Sequence, residues 1–275
     1  MLNIPYPPQR PLSVGEILDL TFRIFRATVT KCLLLAGLGV IASQIPNLYS
    51  LARGRGLLAQ SFFSQLRDPL FWVMYVVGTI LVLAFYAAVL LRQHALLTDR
   101  PIGGEFRTGL GRAFHWLLLS LLIALACAVC WAPAWLFSGA ARGAWVVLAL
   151  IPISYLFIAS SSAWVILIAD GSGAAASFRR SWHLTSGSFW RLSAIYAVAL
   201  IVLLVLYFLF GALAAFLAAL VGRGDVAVVA ATTSVIVVAL GALVTPYYTA
   251  LGLAVFGDLS VRKEGADLAQ RISAT

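Results

Sequence analysis

Charge is scarce in this chain. Only 11% of its 275 residues are Asp, Glu, Lys or Arg and 62% are hydrophobic, whereas a soluble globular domain carries about 25% charged residues. The mean hydropathy of +0.99 points the same way. A water-soluble domain of this size cannot hide so much apolar surface in one core, which excludes a soluble enzyme and a disordered tail. Cysteine is scarce too. Cys32, Cys127 and Cys130 all lie in or beside apolar stretches, so no disulfide scaffold is implied and the thiols read as small hydrophobes. Cys127-x-x-Cys130 has redox or metal spacing, but no second pair follows it and His94, His115 and His183 are scattered. A structural metal site needs about four clustered ligands, so no metal and no cofactor are expected.

Catalytic constellations are also missing from the sequence. There is no HExxH and no paired Asp within the apolar runs, and Ser160, Ser161 and Ser162 have no histidine near them. Small hydroxyl residues commonly line helix contacts in bilayers, and these three serines read that way. Proton and ion pathways place ionisable groups inside a helix bundle, yet no run here has a charge near its centre. Arg92 and His94 come late in the second run and read as snorkelling anchors. The chain is therefore expected not to be an enzyme. Asp170, Asp258 and His183 are the residues that chemistry on lipid headgroups would need, and the two acids could equally cap helices or pair with nearby Arg.

What the sequence does contain is a series of apolar runs near residues 32–50, 70–97, 116–138, 144–169, 190–221 and 226–256. Each is long enough to cross the ~30 Å hydrocarbon core as a helix. The fold class expected is an all-α polytopic membrane protein of six transmembrane helices, forming one integral domain over 1–275. It has a proline-rich arm (1–12), a bundle (13–256) and a tail (257–275). Gln44, Pro46 and Asn47 interrupt the far end of the first run, and Gly211 offers the fifth a place to bend. Four prolines, Pro5, Pro7, Pro8 and Pro11, favour an extended arm. The N-terminus lacks the charged start and apolar middle of a signal peptide, so the arm is expected to stay attached.

The basic residues lie between the runs. Nineteen Lys and Arg against ten Asp and Glu give a net charge of +9, which here reads as topology and lipid contact rather than as a nucleic-acid surface. Fourteen of the nineteen fall on one side, including Arg23, Arg26, Arg107, Arg112, Arg179, Arg180, Arg191 and Arg262; five, Arg53, Arg55, Arg67, Arg142 and Arg223, fall on the other. The positive-inside rule then puts both termini in the cytoplasm of a bacterial inner membrane.

Each odd-numbered span is preceded by a short amphipathic segment expected at the cytoplasmic interface. In the first, Glu16, Asp19, Arg23, Arg26 and Thr30 recur at helical spacing, and Ser13-x-x-Glu16 forms a capping box. The second, Glu105 to Leu119, repeats the pattern with Phe106, Leu110 and Phe114, weakened as a helix by Gly109 and Gly111. The third, Ala174 to Leu192, places Ala174, Phe178 and Trp182 on one stripe. Phe22-Arg23, Phe106-Arg107 and Phe178-Arg179 mark three hairpin units, and Pro152 with Tyr155 and Pro246 with Tyr248 mark spans four and six. The third segment is the candidate contact with anionic lipid headgroups or a partner protein, through Phe178, Arg179, Arg180, Trp182, Trp190 and Arg191. Gly211, Ala215 and Ala219, with Ala214, Ala218 and Gly222, form a small-residue stripe that leaves open an internal contact or a homo-oligomer seam.

The stretches RPLSVGEILDLTFRIFR, GAAASFRRSWHLTSGSFWRL and YYTALGLAVFGDLSVRKEGADL resemble the membrane domain of some bacterial glycerophosphoryl diester phosphodiesterases and of related free-standing integral membrane proteins. The resemblance covers nearly the whole chain and is most specific in the central block. It implies a multi-helix inner-membrane module without hydrolase activity, because in the phosphodiesterases a separate soluble barrel carries the catalysis. Two functions follow as expectations. The first is a non-enzymatic scaffold or partner subunit for an envelope component, touching anionic lipid at the cytoplasmic face. The alternative is a conduit for a lipid or small apolar solute.

Overall fold

A computed structural model describes residues 4–53, 68–222 and 226–273. The described residues are helical almost throughout: α1 (Val14–Ser43), α2 (Ile45–Ala52), α3 (Pro69–Leu97), α4 (Glu105–Trp131), α5 (Gly139–Ser160), α6 (Ala163–Asp170), α7 (Ala174–Thr185), α8 (Phe189–Gly222) and α9 (Val226–Ser273). Among the described residues, six helical stretches are long and apolar enough to cross a membrane, so the chain is an all-helical polytopic membrane protein. Arg55, Arg67 and Arg223, three of the five basic residues on the less basic side, lie outside the described residues.

Local chemistry sets the helix boundaries. At α1 the Ser13 N–H donates to Glu16 Oε2 at 2.7 Å, and the Glu16 N–H donates back to Ser13 Oγ at 3.4 Å. This is the reciprocal capping box read from the sequence. Gln44 falls between α1 and α2, where the sequence shows its interruption. α3 opens with Asp68, whose carboxylate accepts from the Leu70 N–H at 3.1 Å ahead of Pro69. The first two amphipathic segments are continuous with their spans, as the opening turns of α1 and α4, and only the third is a separate helix, α7. α1 has 30 residues, about 45 Å of helix, so its first turns extend beyond a ~30 Å apolar core.

The fourth span breaks into α5 and α6 at Ser161 and Ser162. In an unbroken helix the Ala159 carbonyl would accept from the N–H four residues on. Here Ser181 of α7 donates to that carbonyl at 2.6 Å, and Thr185 approaches it at 3.5 Å. Hydroxyls of a neighbouring helix thus re-satisfy a backbone group freed by the break, as a lipid environment demands. α6 ends where the sequence places it, at Asp170, with Gly171 left-handed (φ 71°). The sixth run, expected to end at residue 256, continues as helix, with α9 running on to Ser273. The arm lies against Gly257, where an added Cβ would meet Tyr6 Cε2 at 3.0 Å and Pro8 Cδ at 3.1 Å. α8 likewise runs unbroken through Gly211.

The chain divides into two compact units. One comprises Met1–Arg23, Phe114–Ala199 and Ala250–Thr275. Its centre is α9 from Leu251 to Leu259, buried at nearly every position, together with Val165 to Ile168 of α6. α8 contributes the narrow stripe Leu192, Ile195 and Ala199, while Trp190 is exposed.

The other unit comprises Ile24–Ala113 and Leu200–Thr249. α3 and α4 approach closely in it, where Ala84, Ala87 and Ala88 are fully buried. A Cβ on Gly109 would sit 2.6 Å from the Ala84 carbonyl oxygen. Gly109 thus provides the backbone proximity that drives helix association in membranes. In the small-residue stripe of α8, Ala214 is buried, whereas Gly211 and Ala215 are exposed and Gly211 has nothing within 4 Å of a built Cβ. Ala218, Ala219 and Gly222 lie outside the described side chains.

Polar groups are buried in this second unit as well. Gln93 donates to Thr28 Oγ1 at 3.0 Å and to the Pro246 carbonyl at 2.9 Å. Arg92, expected to snorkel, instead pairs with the buried Glu105 at 3.3 Å and donates to the Lys31 carbonyl at 3.1 Å. A carboxylate one loop away satisfies the guanidinium without a reach to the headgroups.

Candidate functional site

The candidate contact segment is carried by α7 and the first turn of α8. The buried face of α7 is small and hydroxylic: Ala174, Ser177, Ser181, Leu184 and Thr185. Ser177 Oγ lies 2.7 Å from Ser172 Oγ and donates to the Gly173 carbonyl at 3.0 Å, fixing the helix start. Ser181 fixes the middle through Ala159. Small inward residues let α7 dock closely, and the large aromatics are left to the outer edge. Trp182 meets Tyr155 edge-on at 5.2 Å, Phe178 lies 5.9 Å from Trp182, and Phe189 stacks on Tyr155 at 5.7 Å.

The six candidate residues divide sharply. Arg180 is an internal tie. It donates to Glu264 Oε1 through Nε at 2.9 Å and Nη2 at 2.8 Å, contacts the Asp170 carboxylate, and lies over the Phe256 ring. Arg191 is a second tie, pairing with the fully buried Asp258. Acids of α6 and α9 thus engage both guanidiniums, while 37% of the Arg180 side chain and 21% of the Arg191 side chain remain exposed. The remaining candidates stay on the surface. Phe178, Arg179 and Trp182 line a half-open depression of about 600 Å³ together with Leu122, Ala175, His183 and Ser186. Arg179 and His183 are exposed. Trp190 stands apart on α8 with 83% of its surface exposed.

Asp258 is the residue whose environment the sequence did not disclose. Its Oδ1 accepts from the Leu12 N–H at 2.7 Å, and Arg262 Nε reaches both carboxylate oxygens, at 3.2 and 3.0 Å. Arg262 Nη2 and Arg191 Nη1 donate to the Leu12 carbonyl at 2.5 and 3.4 Å. One buried carboxylate therefore gathers two guanidiniums and the Leu12 N–H, the guanidiniums hold the Leu12 carbonyl, and the cluster fastens the N-terminal arm to α8 and α9. Upstream, the Tyr6 hydroxyl donates to the Leu253 carbonyl at 3.2 Å, and burial pushes its pKa well above that of an ordinary tyrosine. The proline-rich segment is a packed strap rather than a free tether. An acid at the end of an apolar run, with Arg four residues on, was the available signal, but its distant partners were not legible.

At the outer edge of the arm, the Ser13 N–H and Arg10 hydrogen bonds hold the Glu16 carboxyl down at about 2. Cys127 and Cys130 are free and half-buried, and Cys32 is free and buried. Among the described residues, no three His, Cys, Asp or Glu side chains group so as to hold a metal ion. No protein-family model, curated protein or solved structure matches the chain.

Proposed function

We propose that this chain is a non-enzymatic scaffold or partner subunit of a bacterial inner membrane, with both termini cytoplasmic and α7 presented to the anionic inner leaflet. The observation that supports it best is the division of labour on α7. Its inner face is fixed by Ser177, Ser181, Thr185 and Arg180, while Phe178, Arg179, Trp182 and His183 form an outer basic-aromatic edge. Amphipathic helices that lie in an interface combine cations with Trp and Phe in this way. The likeness of the opening, central and closing blocks to the phosphodiesterase membrane domain belongs to the same proposal, as does assembly with an envelope protein or a second copy.

The test is purification of the whole chain in mild detergent with identification of what remains bound, together with flotation on vesicles with and without phosphatidylglycerol. The scaffold reading expects a stoichiometric protein partner and preferential retention of anionic lipid. Loss of every partner together with equal recovery on neutral vesicles would contradict it. A conduit is the second reading, favoured by the discontinuous fourth span, where the Ser161 and Ser162 hydroxyls are buried without a hydrogen-bond partner among the described residues. Broken helices line the transport sites of many carriers. Solute or lipid transfer by the reconstituted chain would select it.

A further inference from the structure

Resting on the reading of α7 as an interfacial helix, we propose that the depression beside Arg179 and His183 seats the phosphate of one phospholipid molecule, with its glycerol and upper acyl carbons over Leu122, Phe178 and Trp182. The depression measures about 600 Å³, within the ~300–1,000 Å³ of small-molecule sites. Its walls are apolar apart from Arg179, His183 and Ser186.

Charge complementarity selects the occupant. Arg179 and His183 are one turn apart, so their Cβ atoms lie about 5–6 Å from each other, a separation that lets both side chains converge on the two free oxygens of a phosphodiester. Arginine's planar fork suits those oxygens. Neither side chain has an internal ion pair or hydrogen bond among the described residues. The carboxylates Asp170 and Glu264 are taken by the adjacent Arg180. The Ser186 hydroxyl is committed as a donor to the His183 carbonyl at 2.7 Å, which leaves Arg179 and His183 as the anion-facing groups. An apolar floor under a basic rim fits a lipid better than a free anion: inorganic phosphate would leave the floor bare, and the surrounding indole and phenyl rings are groups that anchor at headgroup depth.

The experiment uses the full chain in nanodiscs containing a phosphatidylglycerol with a diazirine in its upper acyl chain, read by peptide mapping after illumination. Adducts are expected on residues 175–186 and Leu122. They should fall about fivefold in Arg179→Gln and further in the Arg179→Gln/His183→Gln double variant, since each basic residue at an anionic surface contributes about 1 kcal/mol. Arg179→Lys should keep most of the labelling. Both positions are exposed, so packing should survive, and if the double variant does not fold, the Arg179→Gln and Arg179→Lys pair carries the test. Adducts spread evenly over the exposed apolar faces, or unchanged in Arg179→Gln, overturn the seat. So does complete displacement of the lipid by excess inorganic phosphate, which would mark a free-phosphate site. Flotation of the same proteins separates the two ideas: preference for anionic vesicles without localised adducts refutes the seat alone, and no preference refutes the interfacial reading.

Discussion

Replacing Asp258 with Asn would leave two guanidiniums facing a neutral amide. The Asp258 side chain is fully buried, whereas Arg191 and Arg262 are 21% and 34% exposed. Removing one partner of a buried ion pair costs about 3–5 kcal/mol, because the other charge is left uncompensated. Two features reduce that figure here. Both arginines reach solvent in part, and the Asn carbonyl can still accept from the Leu12 N–H, so the expected loss is about 2–3 kcal/mol. The loss should be local first. With the carboxylate gone, Leu12 loses its charged acceptor and the strap from Tyr6 to Leu12 should loosen, leaving the helices inserted. Hydrogen exchange of residues 5–13 in nanodiscs and the thermal midpoint in detergent read the two effects separately. An Asp258→Asn/Arg191→Gln double variant should be less destabilised than the sum of its parts, because the orphaned charge goes with the carboxylate. Unchanged protection of the Leu12 amide, or strict additivity of the pair, would refute the reasoning.

The other expectations can be tested in the same preparation. Arg180→Gln should lower stability by about 1 kcal/mol through its half-exposed ties to Asp170 and Glu264, while Arg179→Gln should leave the thermal midpoint unchanged. Gly109→Ala should destabilise by at least about 1–3 kcal/mol, since the new methyl group meets a backbone carbonyl that cannot rotate away; Gly111→Ala, with open space around it, serves as the control. Ser13→Ala should cost about 1 kcal/mol at the start of α1, seen as faster exchange over residues 14–17. The depressed Glu16 pKa implies that its contribution is complete above the usual 4.5 and disappears as the pH falls towards about 2. Protection of the first turn should therefore fade over that window and stay flat above it.

Spans, the capping box and the stop at Asp170 were legible because each depends on neighbours in sequence: an apolar run, a Ser-x-x-Glu spacing, a glycine after the last turn. The roles of the arginines were not. Arg179 and Arg180 are adjacent and chemically identical, yet one faces outward and the other is tied to Glu264, 84 residues away. At α7 periodicity marked the outer stripe of Phe178 and Trp182 but not the docking face of Ser177, Ser181 and Thr185, because in lipid it is small hydroxyl residues that bring helices together. The same physics hid the contact at Gly109, which reads in sequence as a weak point in a helix, and it favoured the α8 stripe, whose Gly211 and Ala215 face outward. Asp258 resembled a residue closing a span; only the strap folding back onto α9 makes it a buried centre.

The measurement that tests the account most directly is the sidedness of the two ends of the fourth span. Single cysteines replacing Arg142, near the start of α5, and Ser172, just beyond α6, are introduced into a chain lacking Cys32, Cys127 and Cys130, and whole cells are treated with a membrane-impermeant thiol reagent. With α7 on the cytoplasmic leaflet, Arg142→Cys is labelled in intact cells and Ser172→Cys only after the membrane is opened. Labelling of Ser172→Cys in intact cells would place α7 and its basic-aromatic edge outside, contradicting both the orientation and the contact with the inner leaflet.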